Sequence, residues 1–233
     1  MKSTFSFFLC LAFISIFGQT KKPKETKSAV TTPVSTVPAA DTFKSDVFSG
    51  LKLRNIGPAL VSGRINQIVV NPDNHSEYYL VVASGGIWKT TNSGTTFAPI
   101  FDSYGSYSMG ALTMDPSNHA VLWLGTGENN NQRSVAYGDG IYKSEDAGKT
   151  WKNMGLKNSE HIGQIVVDPQ NSNVVYVAAY GPVWTSGGER GIYKTTDGGK
   201  TWSRILHVSD HTGFNEILMD PRDHNVLYAA AHQ

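Results

Sequence analysis

The sequence predicts an all-β fold of four-stranded antiparallel blades, and three observations carry that expectation. An Asn/Asp-Pro pair recurs four times, at Asn71-Pro72, Asp115-Pro116, Asp168-Pro169 and Asp220-Pro221, with the prolines 44, 53 and 52 residues apart. Each pair lies between two short apolar runs. A third run opens on Gly-Ile-aromatic and leads through a tight turn into a fourth. Short runs rich in Val, Ile and Tyr, ended by Gly, Pro, Asn or Asp, read as hairpins and not as helices. Four strands per unit at a period of about 50 residues is the pattern of β-propeller blades.

The elements follow in order. First strands are expected at Ile65–Val70, Met109–Met114, Ile162–Val167 and Phe214–Met219, and second strands at Tyr78–Ala83, Val121–Gly125, Val174–Ala179 and Val226–Ala230. Third strands start at Gly86-Ile87-Trp88, Gly140-Ile141-Tyr142 and Gly191-Ile192-Tyr193. Blades therefore fall at about 60–105, 106–157 and 158–209, with a partial one at 210–233. His75, His119 and His224 each stand three residues after a repeat proline and are expected in turns.

The turn between third and fourth strands carries the most specific pattern. Ser144-Glu145-Asp146-Ala147-Gly148-Lys149-Thr150-Trp151 and Thr195-Thr196-Asp197-Gly198-Gly199-Lys200-Thr201-Trp202 both match Ser/Thr-x-Asp-x-Gly-x-Thr-Trp, the Asp-box. Thr90-Thr91-Asn92-Ser93-Gly94-Thr95-Thr96-Phe97 is a degenerate copy, with Asn92 for the Asp and Phe97 for the Trp. A short carboxylate can accept bonds from amides of its own turn, and a glycine two residues on supplies a positive-φ corner. The Trp is expected to bury a large ring between sheets. Asn92, Asp146, Asp197, Phe97, Trp151 and Trp202 are thus read as turn and packing residues, not catalytic ones.

These motifs resemble the bacterial-neuraminidase-repeat propellers, shared by sialidases, xyloglucanases and the sortilin-type sorting receptors. Gly125-Thr126-Gly127-Glu128-Asn129-Asn130-Asn131-Gln132-Arg133, followed by Tyr137-Gly138-Asp139-Gly140, is most similar to the sortilin-like group of exported bacterial proteins. The resemblance covers the chain from about Asp46 onward. It implies a propeller that either binds ligands or hydrolyses glycosidic bonds.

The N-terminus reads as an export signal over residues 1–18: Met1-Lys2, an apolar run from Phe5 to Phe17, then Gly18-Gln19-Thr20. That run is too short to span a bilayer, so no membrane insertion beyond the signal is expected. Residues 19–45, rich in Lys, Thr, Pro, Ser, Ala and Val, have linker composition. The single cysteine, Cys10, lies within the signal, so the exported chain has no disulfide. The expected location is secreted, periplasmic or at the cell surface. At 39% hydrophobic and 11% aromatic residues, the remainder can bury a core. The overall charge of +1 hides an asymmetry. Six Lys precede Asp46, whereas 14 basic and 17 acidic residues follow from it, which disfavours a nucleic-acid partner.

Three and a half blades leave a ring unclosed, so the sequence reads as the N-terminal part of a longer propeller, with the rest of its own chain needed for closure. The segment Val47–Ile56 is a candidate closing strand.

Loops from strand two to strand three share one end of a propeller, opposite the Asp-boxes. Two carry insertions, Glu128–Asp139 and Tyr180–Arg190, while the first repeat has only Ser84-Gly85-Gly86. Long loops on a rigid scaffold are where binding resides. Counting eight residues back from the repeat prolines gives Arg64, Ser108, His161 and Gly213 at the channel mouth on the same face; five back gives Gln67, Ala111, Gln164 and Glu216. The expected ligand-binding set is Arg64, Asn129, Asn130, Asn131, Arg133, Tyr137, His161, Trp184, Glu189 and Arg190. An aromatic among amides, carboxylates and guanidinium groups suits a glycan, a peptide or a protein surface. The alternative is a glycoside hydrolase, which generally needs two carboxylates. Glu128, Glu189 and Glu216 are the candidates on that face, with part of the active site beyond residue 233. Neither the sialidase arginine trio nor the xyloglucanase Asp can be assigned: Ala83-Ser84 stand where the latter belongs. His207, Asp210 and His211 lack metal-site spacing, and no cofactor or metal is expected.

Overall fold

The computed structural model describes residues 50–51, 63–130 and 135–233. The expected signal, linker and, apart from Gly50 and Leu51, the candidate closing strand lie outside them. One compact unit, Leu53–Gln233, holds the strands of the described residues.

Among the described residues, fourteen strands form four antiparallel sheets. The first is β1 (Ile65–Val70), β2 (Tyr78–Val82), β3 (Gly86–Thr90) and β4 (Ala98–Pro99). The second is β5 (Met109–Asp115), β6 (Asn118–Thr126), β7 (Ile141–Ser144) and β8 (Lys152–Gly155). The third is β9 (Ile162–Asp168), β10 (Asn171–Ala179), β11 (Gly191–Thr195) and β12 (Ser203–Leu206). β13 (Gly213–Asp220) and β14 (Asp223–His232) make the last. Within each sheet strands pair in chain order, so every four-stranded sheet is an up-and-down meander.

The repeat Asp-Pro pairs form tighter turns than expected. Asp115 pairs with Asn118 and Asp220 with Asp223, so the second strands begin directly after a two-residue turn. The repeat aspartate closes that turn: one oxygen accepts an amide two residues on, from Ser117 at 2.7 Å, Gln170 at 2.8 Å and Arg222 at 2.9 Å. In two blades the aspartate also reaches the next one. Asp115 accepts from the Ser172 hydroxyl at 3.0 Å, and Asp168 lies 3.0 Å from the His224 ring. Burial pushes the Asp168 carboxyl up, but the Gln170 amide and His224 outweigh it and hold it below its ordinary range. His119 and His224 are therefore strand residues that tie blades together, not turn residues. His119 meets Asp73 of the preceding blade at 2.5 Å.

Strand alternation sends side chains to both faces of each sheet, so the core lies between sheets. Tyr79, Val81 and Ile87 of the first sheet pack with Met109, Leu112, Leu122 and Leu124 of the second. Ala111, Trp123 and Ile141, from the second sheet, pack with Ile165, Val175 and Val177 of the third. Tyr176 and Ile192 meet Phe214 and Ile217. The first strands of successive sheets lie side by side, and polar side chains cross-link them. The Leu112 amide donates to Gln67 Oε1 at 2.9 Å, and Thr113 Oγ1 donates to the Ile165 carbonyl at 2.8 Å. Glycine permits the approach: a Cβ on Gly110 would sit 2.0 Å from the Ile162 carbonyl oxygen. Sheets packed face to face with their first strands adjacent are propeller blades.

Candidate functional site at the insertion face

Backbone hydrogen bonds sort the loops into two ends. The turns between third and fourth strands bond the starts of second strands: Ser93 N to the Ser76 carbonyl, Ala147 N to Ala120, Gly198 N to Asn173. At the other end the insertions bond the connections between blades. Gly138 N donates to Glu160 O at 2.7 Å, Glu189 N to Asn158 O at 3.1 Å, and Gly187 N to Asp210 O at 2.8 Å.

The turn end is saturated by its own bonds. Asp146 accepts from Thr150 N at 2.8 Å, Thr150 Oγ1 at 2.6 Å and Ser144 Oγ at 2.8 Å. Asp197 accepts the same three bonds from Thr201 and Thr195. Asn92 keeps the pattern with Thr96 and Thr90, its amide donating where the carboxylate accepts. The Thr150 hydroxyl and amide hold the Asp146 carboxyl down at about 2, and the Thr201 pair lowers Asp197 likewise. Two consecutive residues, not one, have positive φ: Ala147 and Gly148, Gly198 and Gly199, Ser93 and Gly94. Trp151 is buried and Trp202 half-buried, each donating its indole N–H to the preceding blade, whereas Phe97 stays partly exposed, edge-on to Tyr78.

At the insertion end a polar arc crosses all four sheets. Arg64, just before β1, donates through Nε and Nη2 to Glu128 Oε1. Glu128, after β6, is 1% exposed, and its amide is held by Ser108 Oγ at 3.0 Å. The Glu128 backbone acts on the ring of His161, just before β9, favouring its protonated form. His161 is buried, and burial depresses its pKa to about 4, assisted by the Arg190 charge. Its ring stands edge-on to Tyr180 at 6.4 Å, and the Tyr180 hydroxyl lies 2.6 Å from Nδ1 of His232 at the end of β14. Glu128 Oε2 and His161 Nδ1 are buried without a hydrogen-bond partner among the described residues.

The other expected residues occupy distinct environments. Arg190 is buried, its guanidinium spent on the carbonyls of Tyr180, Pro182, Thr185 and Gly187, so it organises its own loop. Glu189 Oε2 accepts the Asn158 amide at 2.7 Å. Asn129 Nδ2 donates to the Gly163 carbonyl at 3.1 Å, and Asn130 is exposed. Asn131 and Arg133 lie outside the described residues. Glu216 is exposed on β13. Tyr137 is 71% and Trp184 70% exposed. Tyr107 is 64% exposed on the same end, its carbonyl accepting from Gly86 N. Sequence reading missed Tyr107 because it precedes a first strand, in a connection with no insertion to mark it. Trp184 borders a hollow of about 360 Å³ with Tyr180, Pro182, Arg190, His211 and His232. Among the described residues no group of three His, Cys, Asp or Glu side chains could hold a metal ion; His207 and Asp210 form a lone pair at 3.5 Å. No helix among them is long and apolar enough to cross a membrane.

Comparison with known proteins agrees with this architecture. Residues 139–233 match the family model described as Sortilin-Vps10, sortilin, neurotensin receptor 3. A xyloglucanase of Hypocrea jecorina is 28% identical over 176 residues, covering 70% of this chain and 20% of that one. A probable oligoxyloglucan-reducing end-specific xyloglucanase of Neosartorya fischeri is 34% identical over 99 residues, covering 40% of this chain and 10% of its own. The chain thus spans about a fifth or less of the length of these relatives. Among solved structures, an ancestral GH74 enzyme superposes with a TM-score of 0.58 at 23% identity, over 74% of this chain and 22% of that one. An auxiliary nutrient binding protein from Bacteroides thetaiotaomicron superposes with a TM-score of 0.51 at 14% identity, over 72% and 36%. Strand order and inter-sheet cores make the chain a β-propeller, and its residues 139–233 are similar to the sortilin family.

Proposed function

We propose that this chain belongs to an exported propeller that binds glycan chains across its insertion face. The observation that carries the reading is the row of exposed aromatics, Tyr107, Tyr137 and Trp184, on successive loops of that one end. Large apolar rings left in solvent on loops held by backbone bonds are the usual mark of a contact surface. Flat exposed rings, with the exposed Asn130 amide on one of the same insertions, suit the apolar face and hydroxyl rim of a sugar. The sugar-acting relatives favour a glycan over a peptide. The chain's Asp-box turns serve the scaffold in this reading, because their carboxylates are consumed by their own amides and hydroxyls. Titration calorimetry of the full chain with xyloglucan oligosaccharides tests the idea. Trp184→Ala and Tyr137→Ala are each expected to weaken binding by about tenfold without loss of folding. Unaltered affinity in both would reject it.

A second reading, glycoside hydrolysis, is favoured by the xyloglucanase relatives. Its candidate carboxylates differ in availability. Glu128 is buried against Arg64 and Glu189 holds the Asn158 amide, whereas Glu216 is exposed. Release of reducing ends from xyloglucan, abolished by Glu216→Gln or Glu128→Gln, would establish it; binding without release supports the first reading.

A further inference from the structure

We propose a second ligand site, distinct from the exposed aromatics of the insertion face: the groove between the second and third blades that runs from their fourth-strand turn at Asp197 along β8 to Lys157, taking an anionic glycan. Two adjoining hollows of about 400 and about 440 Å³ lie there and share Lys152, Met154 and Lys200. Lys143 lines the first and Lys157 the second.

The charges do not cancel. Lys143 is occupied, 2.8 Å from Glu145 and 5.3 Å above the Trp123 ring. Asp197 also lines the groove, and its Thr195 and Thr201 bonds keep it ionised, so it offsets one of the remaining cations. Lys152, Lys157 and Lys200 are exposed and form no direct ion pair among the described residues, the Lys152 charge acting on Glu145 from further off. The chain from Asp46 onward carries more acidic than basic residues, so four lysines against two carboxylates around one groove stand against its general charge. Facing cations in a concave surface concentrate potential and draw anions.

The chemistry favours a glycan over an acidic peptide. A peptide strand would seek an unpaired backbone edge in the groove. β8 is the edge strand there, and its Met154 carbonyl is already held by the Trp202 indole at 2.8 Å, which blocks that pairing position. The lining also includes Met154, Trp151 and the exposed Asn173 among the lysines. A chain of uronic-acid residues offers ring faces to the apolar lining and carboxylates to the ammonium groups.

The test is affinity electrophoresis of the full chain in gels containing polygalacturonate, with neutral xyloglucan gels alongside. Retardation by polygalacturonate is expected, fading at about 0.5 M salt as screening shortens the field. K152E/K200E is expected to lose about tenfold in affinity, while Trp184→Ala leaves it unchanged. That separates this site from the insertion face, whose failure would appear only with neutral oligosaccharides. If the double reversal does not melt like the parent, K152Q and K200Q singly take its place, each weakening retardation. No retardation, retardation undiminished in folded variants, or displacement by polyglutamate at equal charge would overturn the proposal.

Discussion

The indole N–H of Trp202 donates to the carbonyl of Met154 at 2.8 Å, so the tryptophan that opens the fourth strand of one blade is fastened to the fourth strand of the blade before it. Trp151 does the same one blade earlier, reaching the Ile100 carbonyl at 3.0 Å and standing edge-on to Phe101. Each tryptophan thus closes its own turn and seals a blade interface. Trp151→Ala is expected to cost about 3–5 kcal/mol through lost packing and a cavity. Trp151→Phe, which keeps a ring but orphans the carbonyl, should cost less, about 1–2 kcal/mol. Urea denaturation of the three proteins checks the order. Equal losses for Phe and Ala would put the whole effect on the hydrogen bond.

The turn carboxylates should act on stability alone. Asp146→Ala removes the acceptor of two Thr150 bonds and one from Ser144, at an expected cost of about 1–3 kcal/mol. Asp146→Asn should recover part of that, because Asn92 makes the same turn in the first blade. Thermal melts give the stability order, and xyloglucan-oligosaccharide titration of the folded variants should show unchanged affinity. A selective loss of neutral-glycan binding would move that site to the turn end.

Much of this was legible from spacing. The three Ser/Thr-x-Asp/Asn turns and the four Asn/Asp-Pro pairs recur at fixed offsets, and fixed offsets place residues without knowledge of the third dimension. The strand-two-to-three insertions were visible for the same reason. Contacts between blades were not, because they join residues roughly a repeat apart whose types vary. His224 meets Asp168 while the equivalent partner of Asp115 is Ser172, so no single letter marks the position. Arg190 was legible as a charge on an insertion. Its burial depends on four carbonyls of a folded loop, which the sequence does not encode as a motif. The row of lysines over second-strand aromatics, Lys89 on Tyr79, Lys143 on Trp123 and Lys194 on Tyr176, was in the sequence at constant register but needed the strand pairing to be recognised.

Arg64 and Glu128 should be coupled. Arg64 is half-exposed and Glu128 is buried, so removing the arginine leaves a buried carboxylate uncompensated. Arg64→Ala is expected to cost about 1–3 kcal/mol, discounted from a fully buried pair because solvent reaches the guanidinium. Adding Glu128→Gln should restore part of the loss, since the charge that needed compensation is gone. A double-mutant cycle by chemical denaturation measures the coupling. Additive losses would mean that the pair contributes nothing specific, and the arc across the insertion face would then begin at Glu128.

His161 gives the fold an acid sensitivity with a defined window. Burial lowers its pKa in the folded chain to about 4, against an ordinary value of 6.5, and the nearby Arg190 charge adds to the effect. Between those two values the unfolded chain holds the proton and the folded chain does not. Stability therefore rises with pH across the window and falls as the solution is acidified through it. The full cost, reached near the lower value, is on the order of 3 kcal/mol. Above the window the residue contributes no pH dependence. Asp146, held at about 2, begins to lose its stabilising ionisation only below its ordinary value of 3.8, so the two effects occupy separate ranges. His161→Gln removes the titrating ring and should flatten the stability profile between about pH 4 and 6.5 while leaving the steeper acid limb in place. Denaturant midpoints measured at close pH intervals for both proteins make the comparison. If the parent and the variant lose stability in parallel through that window, the acid sensitivity arises elsewhere and His161 is not the buried neutral group its surroundings require.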